Sequence, residues 1–384
     1  MSDANRVSLA YVVESTFGVT PSGPPTLKDV RYTGESLAQN TQNVLSNEIR
    51  SDRQNVDVIR TSISAAGDIN FELSYGAFDD WFAALLFSAG WSTPITIGPL
   101  TTLSTTSPST ITRSSGSFTA DGLLVGQWIE VTGFATAANN GYFKLATVGT
   151  TTLTIAQATL TTEAVGASVT IIQGAQVVNG TTFATYAIEK KFTDLSNEFA
   201  MYNGMGIQSM SLNTQADQII TGAFSFMGKK ETSAAATAGT GTNTAAATGI
   251  VMNGVDHASG FENNVSVGLV SLSINIANNL RNRLQIGTLG PISIGAGSID
   301  VTGTLQMYFT TQALMNKYLA NTASKVALVF NDGTSAYVIE FPQIKFTAGK
   351  RSAGAKNTDI IADMALTGYR NPTENVTVRI ARFA

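Results

Sequence analysis

His257 is the only histidine among 384 residues, and the chain has no cysteine. One imidazole without a thiolate excludes most histidine-ligated metal centres and every cysteine-ligated zinc, and it leaves no thiol nucleophile. A Ser-His-Asp triad is a poor fit too, because His257 lies in the turn-like run Asn253-Gly-Val-Asp256-His257-Ala-Ser-Gly260 and reads as an incidental loop residue. Two glycine–lysine steps suggest a phosphate loop until spacing is counted. Gly349-Lys350-Arg351 has no glycine five residues before Gly349 and no Ser or Thr after Lys350, while Gly222 through Gly228-Lys229 is one residue too long. Asp359 and Asp363 sit at even spacing on a strand beside Ile361, with no basic or proton-donating partner evident, and read as a solvated face. No Gly-x-Ser-x-Gly elbow and no EF-hand spacing occur. The expectation is a non-enzyme without metal or cofactor.

Composition narrows the remaining classes. Hydrophobic residues make up 43%, enough for a packed core, whereas charged residues are only 13%. A weakly charged surface has little desolvation to overcome when buried against neighbours, which suits a self-assembling subunit. The net charge of -4 and pI near 5.1 argue against a surface that grips nucleic acid. Met1-Ser-Asp-Ala-Asn-Arg6 opens no apolar stretch of the secretory kind, and no run of apolar residues is long enough for a membrane helix.

The elements follow from alternation. Ile63, Ala65, Gly67, Ile69, Phe71 and Leu73 share one strand face against Ser64, Ala66, Asp68, Asn70 and Glu72. The same pattern recurs at 220–226, 270–276 and 301–309, as expected of antiparallel strands packed on one face. Phe78, Trp81, Phe82, Leu85 and Leu86 instead follow helical spacing, with Asp79 and Asp80 in the first turn and Gly90 as a stop. A second helix should begin near Gln312 and bury Leu314, Met315, Tyr318 and Leu319.

These elements occur twice. The strand around Gly67 and its helix are echoed by the strand around Gly303 and the helix at Leu314. Downstream, Asn179-Gly180 through Tyr186-Ala-Ile188-Glu189 matches Asp332-Gly333 through Tyr337-Val-Ile339-Glu340, each read as a hairpin turn entering a strand. The first copy carries an excess near 93–177 with turns at Asp121-Gly122 and Asn140-Gly141, expected to be a small β-module hung from a surface loop. The reading is mainly β: two tandem β-sandwich domains, each with a flanking α-helix, plus the inserted module. Residues 1–92 with 178–230 form the first domain, 93–177 the insert, 231–264 a flexible linker and 265–384 the second domain. The polar stretch Gly34–Asp57 is either a mobile loop or an arm that reaches a neighbouring subunit.

Ser46-Asn-Glu48-Ile-Arg50-Ser51-Asp52-Arg53, the Gly67 strand with its Trp81 helix, Ile220-Thr-Gly222-Ala-Phe-Ser-Phe-Met-Gly228-Lys, Asn278-Asn-Leu-Arg281 and Val301-Thr-Gly303 together resemble the major tail tube protein of long-tailed, non-contractile bacteriophages. The likeness covers roughly 5–90 and 178–384; the insert is similar to small β-modules found in phage tail proteins. It implies a virion protein, assembled in the host cytoplasm, that stacks rings into a hollow tube conducting genomic DNA. Six domains per ring imply a homotrimeric, pseudo-hexameric ring for a duplicated chain, with a homohexamer as runner-up. The implied partners are further copies of the chain, the tape measure protein and viral DNA in the lumen, and other tail proteins at the tube ends, with no membrane. Asp68, Asn70, Glu72, Thr304 and Gln306 are candidates to face the lumen, and Glu48, Arg50, Asp52 and Arg53 belong to a candidate inter-ring arm. The alternative is a secreted or surface β-rich adhesin or carbohydrate-binding protein, which fits the threonine-rich composition but not a duplicated strand–helix unit.

Overall fold

A computed structural model describes residues 3–255 and 257–384. Its first half consists of β1 (Val7–Val13), β2 (Ala38–Leu45), β3 (Val58–Glu72), α1 (Asp79–Leu85), β4 (Tyr186–Phe192), β5 (Phe199–Gln215) and β6 (Thr221–Gly228). These strands are antiparallel in the spatial order β1-β4-β5-β6-β3-β2. The second half consists of β7 (Ala258–Glu262), β8 (Leu269–Ala277), β9 (Asp300–Tyr308), α2 (Ala313–Leu319), β10 (Ser324–Asn331), β11 (Ala336–Ser352) and β12 (Ile361–Gly368). Its order, β7-β10-β11-β12-β9-β8, is the same winding.

The repeat extends to register. Gly67 lies opposite Phe226, and Gly303 opposite Leu366. One strand further, each half carries a bulge at the same place, between Ile207 and Ser209 and between Phe346 and Ala348. The two glycines are kept for the same steric reason. A Cβ on Gly67 would meet the Ser36 carbonyl oxygen at 2.5 Å, and one on Gly303 would meet that of Ser273 at 2.5 Å. Gly67 also has a positive φ of 154°.

The downstream sequence match is corrected by one strand. Tyr186–Phe192 is β4, the counterpart of β10, whereas Tyr337 opens β11. Asp332-Gly333 joins β10 to β11, but Asn179-Gly180 closes no hairpin. The Asn179 Oδ1 instead accepts the backbone N–H groups of Thr377 and Val378. Period-two alternation is common to all these strands, so one strand's pattern imitates the next.

α1 buries Trp81, Phe82, Ala84 and Leu85 against β5, β6 and β3, where Trp81 meets Phe224 and Phe226 edge-on at 5.3 and 5.2 Å. Each such ring contributes on the order of 2–3 kcal/mol from area alone. α2 buries Leu314 and Met315, but Leu319, expected in the core, is 72% exposed. Apolar side chains of both halves form one continuous cluster, running from Leu9 and Ile188 through Leu212 and Ile274 to Ile339 and Leu366.

The insert forms a separate sheet of seven strands between Ile95 and Gln173, with its own core around Leu103, Ile129 and Leu153. It does not merely hang from a loop. Trp128, Tyr142 and Ile172 pack on Ala327, Val329, Val338 and Phe383 of the second half. Beneath them Glu340, 1% exposed, accepts from Trp128 Nε1 (3.0 Å), Lys144 Nζ (2.5 Å) and Arg379 Nη1 (2.7 Å). Glu374 joins the same two cations at 2.6 and 2.7 Å. Residues 231–264 hold all but the first residue of the strand Lys230–Ala234 and all of β7, and the low-complexity run between them is fastened to the first half. Thr237 and Ala238 bond the buried Glu189, Asn243 bonds Asp29, and Arg31 donates to the carbonyls of Ala247 and Gly249.

Candidate assembly surface

The two halves meet by strand pairing. β5 of the first half and β8 of the second pair antiparallel from Ser209↔Ala277 to Gln215↔Ser271. This makes β2-β3-β6-β5-β8-β9-β12-β11 one continuous run of eight strands. One face is apolar and buried, carrying Ile69, Phe224, Leu212, Ile274, Leu305 and Met364. The other face is polar along its whole width.

All five lumen candidates stand on that polar face. Asp68 and Asn70 on β3 are exposed and Glu72 is half-buried; on β9, Thr304 is exposed and Gln306 half-buried. Asp68 accepts from the Ser225 hydroxyl at 2.5 Å and Gln306 accepts from the Ser271 hydroxyl at 2.9 Å, which orients both side chains. The structure adds residues not singled out from sequence: Asn213 with Ser273 (2.7 Å), and Asn275 opposite Thr302. Asp363 is opposite Gln306 and 3.2 Å from Lys350. The signal for Ser273, Asn275 and Thr302 was present in the alternation of 270–276 and 301–309, but only strand order shows that these faces join.

The stretch expected to be a loop or an arm is largely a hairpin. β2 pairs with β3 from Ala38↔Ala66 to Leu45↔Val58, and 46–57 form its tip. Glu48, Arg50, Asp52 and Arg53 are all exposed there. Arg50 and Asp52 pair with each other at 2.8 Å, an arrangement that raises the guanidinium's pKa and lowers the carboxyl's. Sequence reading missed the equivalent hairpin between β8 and β9, where Arg281–Arg283 pairs with Ser293–Gly295. Ile49 and Ile286 mark corresponding points, each nine residues beyond the paired positions Asn40 and Ala277. They are 98% and 101% exposed.

His257 Nδ1 accepts the Asn253 N–H at 3.3 Å within its turn. Tyr11, Tyr186 and Tyr337 have raised pKa values, chiefly from burial, with Asp80 or Asp79 nearby adding to it; they therefore stay neutral as hydrogen-bond donors around α1. No group of three or more His, Cys, Asp or Glu able to hold a metal occurs among the described residues. Among them, no helix is long and apolar enough to cross a membrane.

A family model described as phage tail tube protein matches residues 4–368 of the chain. No curated protein matches the chain.

Proposed function

The chain belongs to the phage tail tube proteins, structural components of the virion tail, and from that premise we propose that three copies close a pseudo-hexameric ring whose stacked repeats conduct viral DNA. The observation that carries the reading is the duplicated six-strand unit, whose copies already join side by side through β5 and β8. Two units per chain make three chains the count that yields six units, and a head-to-tail contact that completes a rotation gives a closed ring.

The polar face of the eight-strand run would line the lumen, with Asp68, Asn70, Glu72, Thr304 and Gln306 towards the DNA and tape measure protein. Phosphate binding draws on rows of lysine and arginine. Carboxylates, amides and hydroxyls offer no such grip, and Lys350 is held by Asp363. DNA could then slide. The hairpin tips carrying Glu48, Arg50, Asp52 and Arg53, and their counterpart at 281–295, would reach the adjacent ring; other tail proteins would cap the tube ends. The insert, seated on the second half, would decorate the outer wall. Negative-stain microscopy of the purified chain tests the assembly, with uniform rings or tubes expected. Mass measurement of the crosslinked ring separates three chains from six, and a protein that stays monomeric at all concentrations overturns the proposal.

A further inference from the structure

One short strand ties three bodies together. Arg379–Phe383 lies beyond the stretch that the family model matches and is threaded between two other strands. On one side it pairs antiparallel with β11, from Ala336↔Phe383 to Glu340↔Arg379. On the other it pairs with Ala175–Val178, the strand by which the chain leaves the insert, from Ala175↔Arg382 to Val178↔Arg379. Gly174 lets it pass, since a Cβ there would lie 2.5 Å from the Arg382 carbonyl oxygen and 2.8 Å from the Phe383 ring. Its side chains divide among the same bodies. Arg379 Nη1 donates to the Gly126 carbonyl of the insert at 2.5 Å as well as to Glu340 of β11. The Phe383 ring meets Tyr142 of the insert edge-on at 5.1 Å. Arg382 reaches the first half, where it pairs with Asp79 of α1 and lies 4.5 Å over the Trp91 ring.

The segment is also balanced in charge. Arg379 and Glu374 both belong to it and pair at 2.7 Å, while Lys144 and Glu340 pair at 2.5 Å without it. Lifting the segment out carries one neutral pair away and leaves another behind, whereas losing Arg379 by itself would leave a buried carboxylate in excess. Arg379 Nε is buried with no partner, a desolvation cost that weakens the docking. The turn before the strand is closed largely on itself. Asn371 Oδ1 accepts the N–H groups of Thr373 and Glu374, and the Asn375 N–H donates to the Asn371 carbonyl.

We infer that residues 371–383 form a latch, which opens as a unit while the two halves stay folded and whose docking holds the insert on its seat. When the latch is closed, the insert, α1 and the second half move as one body. When it is open, Ala175–Val178 loses its ladder partner, Tyr142 loses Phe383, and Asp79 loses Arg382. The insert is then released from the body except for the Lys144–Glu340 pair and the contacts of Trp128. The latch is a property of the single chain and is independent of how many copies close a ring.

Native-state hydrogen exchange on the full chain tests this. The amides of 377–383 and 175–178 should exchange together, about tenfold faster than those of the β5–β8 ladder and with a smaller urea dependence. Arg382→Ala removes the Asp79 pair and the stack on Trp91, and it should speed both segments about tenfold further while leaving the β5–β8 ladder unchanged. A second readout uses the exposed Pro372 and Thr373. A protease site placed there cuts the chain ahead of the latch, and a fluorescent peptide of residues 374–384 should then exchange into the slot, one per chain. The same peptide carrying Arg382→Ala should need a concentration about tenfold higher. Exchange of both segments only on global unfolding would overturn the latch. So would a cut chain that takes up no peptide, or one that unfolds outright, because the strand would then be a fixed part of the core. Neither result bears on whether the chain forms rings.

Discussion

Lys144→Met probes how the insert is held, and its cost can be worked from four side chains. Lys144 and Arg379 face Glu340 and Glu374, two cations and two carboxylates, so the buried group is neutral. Lys144 is 3% and Glu340 1% exposed, and water cannot replace the lost ammonium. Removing one partner of a buried pair costs about 3–5 kcal/mol. Arg379 still reaches both carboxylates, so the expected loss is about 3 kcal/mol. With a urea dependence of about 3 kcal/mol per M, the midpoint falls by about 1 M. Trp128, one of three tryptophans, donates to Glu340, so fluorescence in a Trp81→Phe/Trp91→Phe background reports the seat. Lys144→Met/Glu340→Gln restores neutrality and should recover about 1 kcal/mol or more, as coupled neighbours do. A midpoint within about 0.3 M of the parent, or a double variant no better than the single, would refute the claim that charge balance seats the insert.

Gly67→Ala and Gly303→Ala should each destabilise by about 1–3 kcal/mol in the same assay, Gly67→Ala more because positive φ adds to the collision with the Ser36 carbonyl; equal, negligible losses would remove the steric account. Burial raises the Glu163 pKa, but hydrogen bonds from the Thr136 and Ala135 N–H groups and from Thr136 and Asn139 side chains outweigh it and bring the value down to about 2. A depressed folded pKa stabilises above the unfolded value of about 4.5 and loses that contribution as pH falls towards 2. Glu163→Gln should therefore flatten the pH dependence of insert unfolding between pH 5 and 2. Asn70→Arg/Thr304→Arg should make assembled tubes retain DNA at low salt and release it as salt rises, whereas tight retention by the parent at physiological salt would contradict a non-adhesive lumen.

The sequence revealed the repeat because steric need fixes residue type: only glycine fits at 67 and 303, where a neighbouring backbone carbonyl would lie 2.5 Å from any Cβ. It revealed the α1 core, since Phe78, Trp81, Phe82 and Leu85 follow the helical period and are buried. It did not reveal which strand matched which after α1, because Tyr186–Glu189 and Tyr337–Glu340 alternate alike on strands of different rank. The insert's seat was equally hidden. Glu340 is 196 residues from Lys144, and nothing local distinguishes it from a solvated carboxylate.

By itself, then, the order of residues determined two copies of an alternating strand–helix unit and an interruption in the first. Tertiary structure alone decided that the copies share an edge and that their polar faces merge. The reason is physical: alternation specifies which face of a strand is buried, while backbone hydrogen bonding across an edge is blind to side-chain identity and depends on which strand lies beside it.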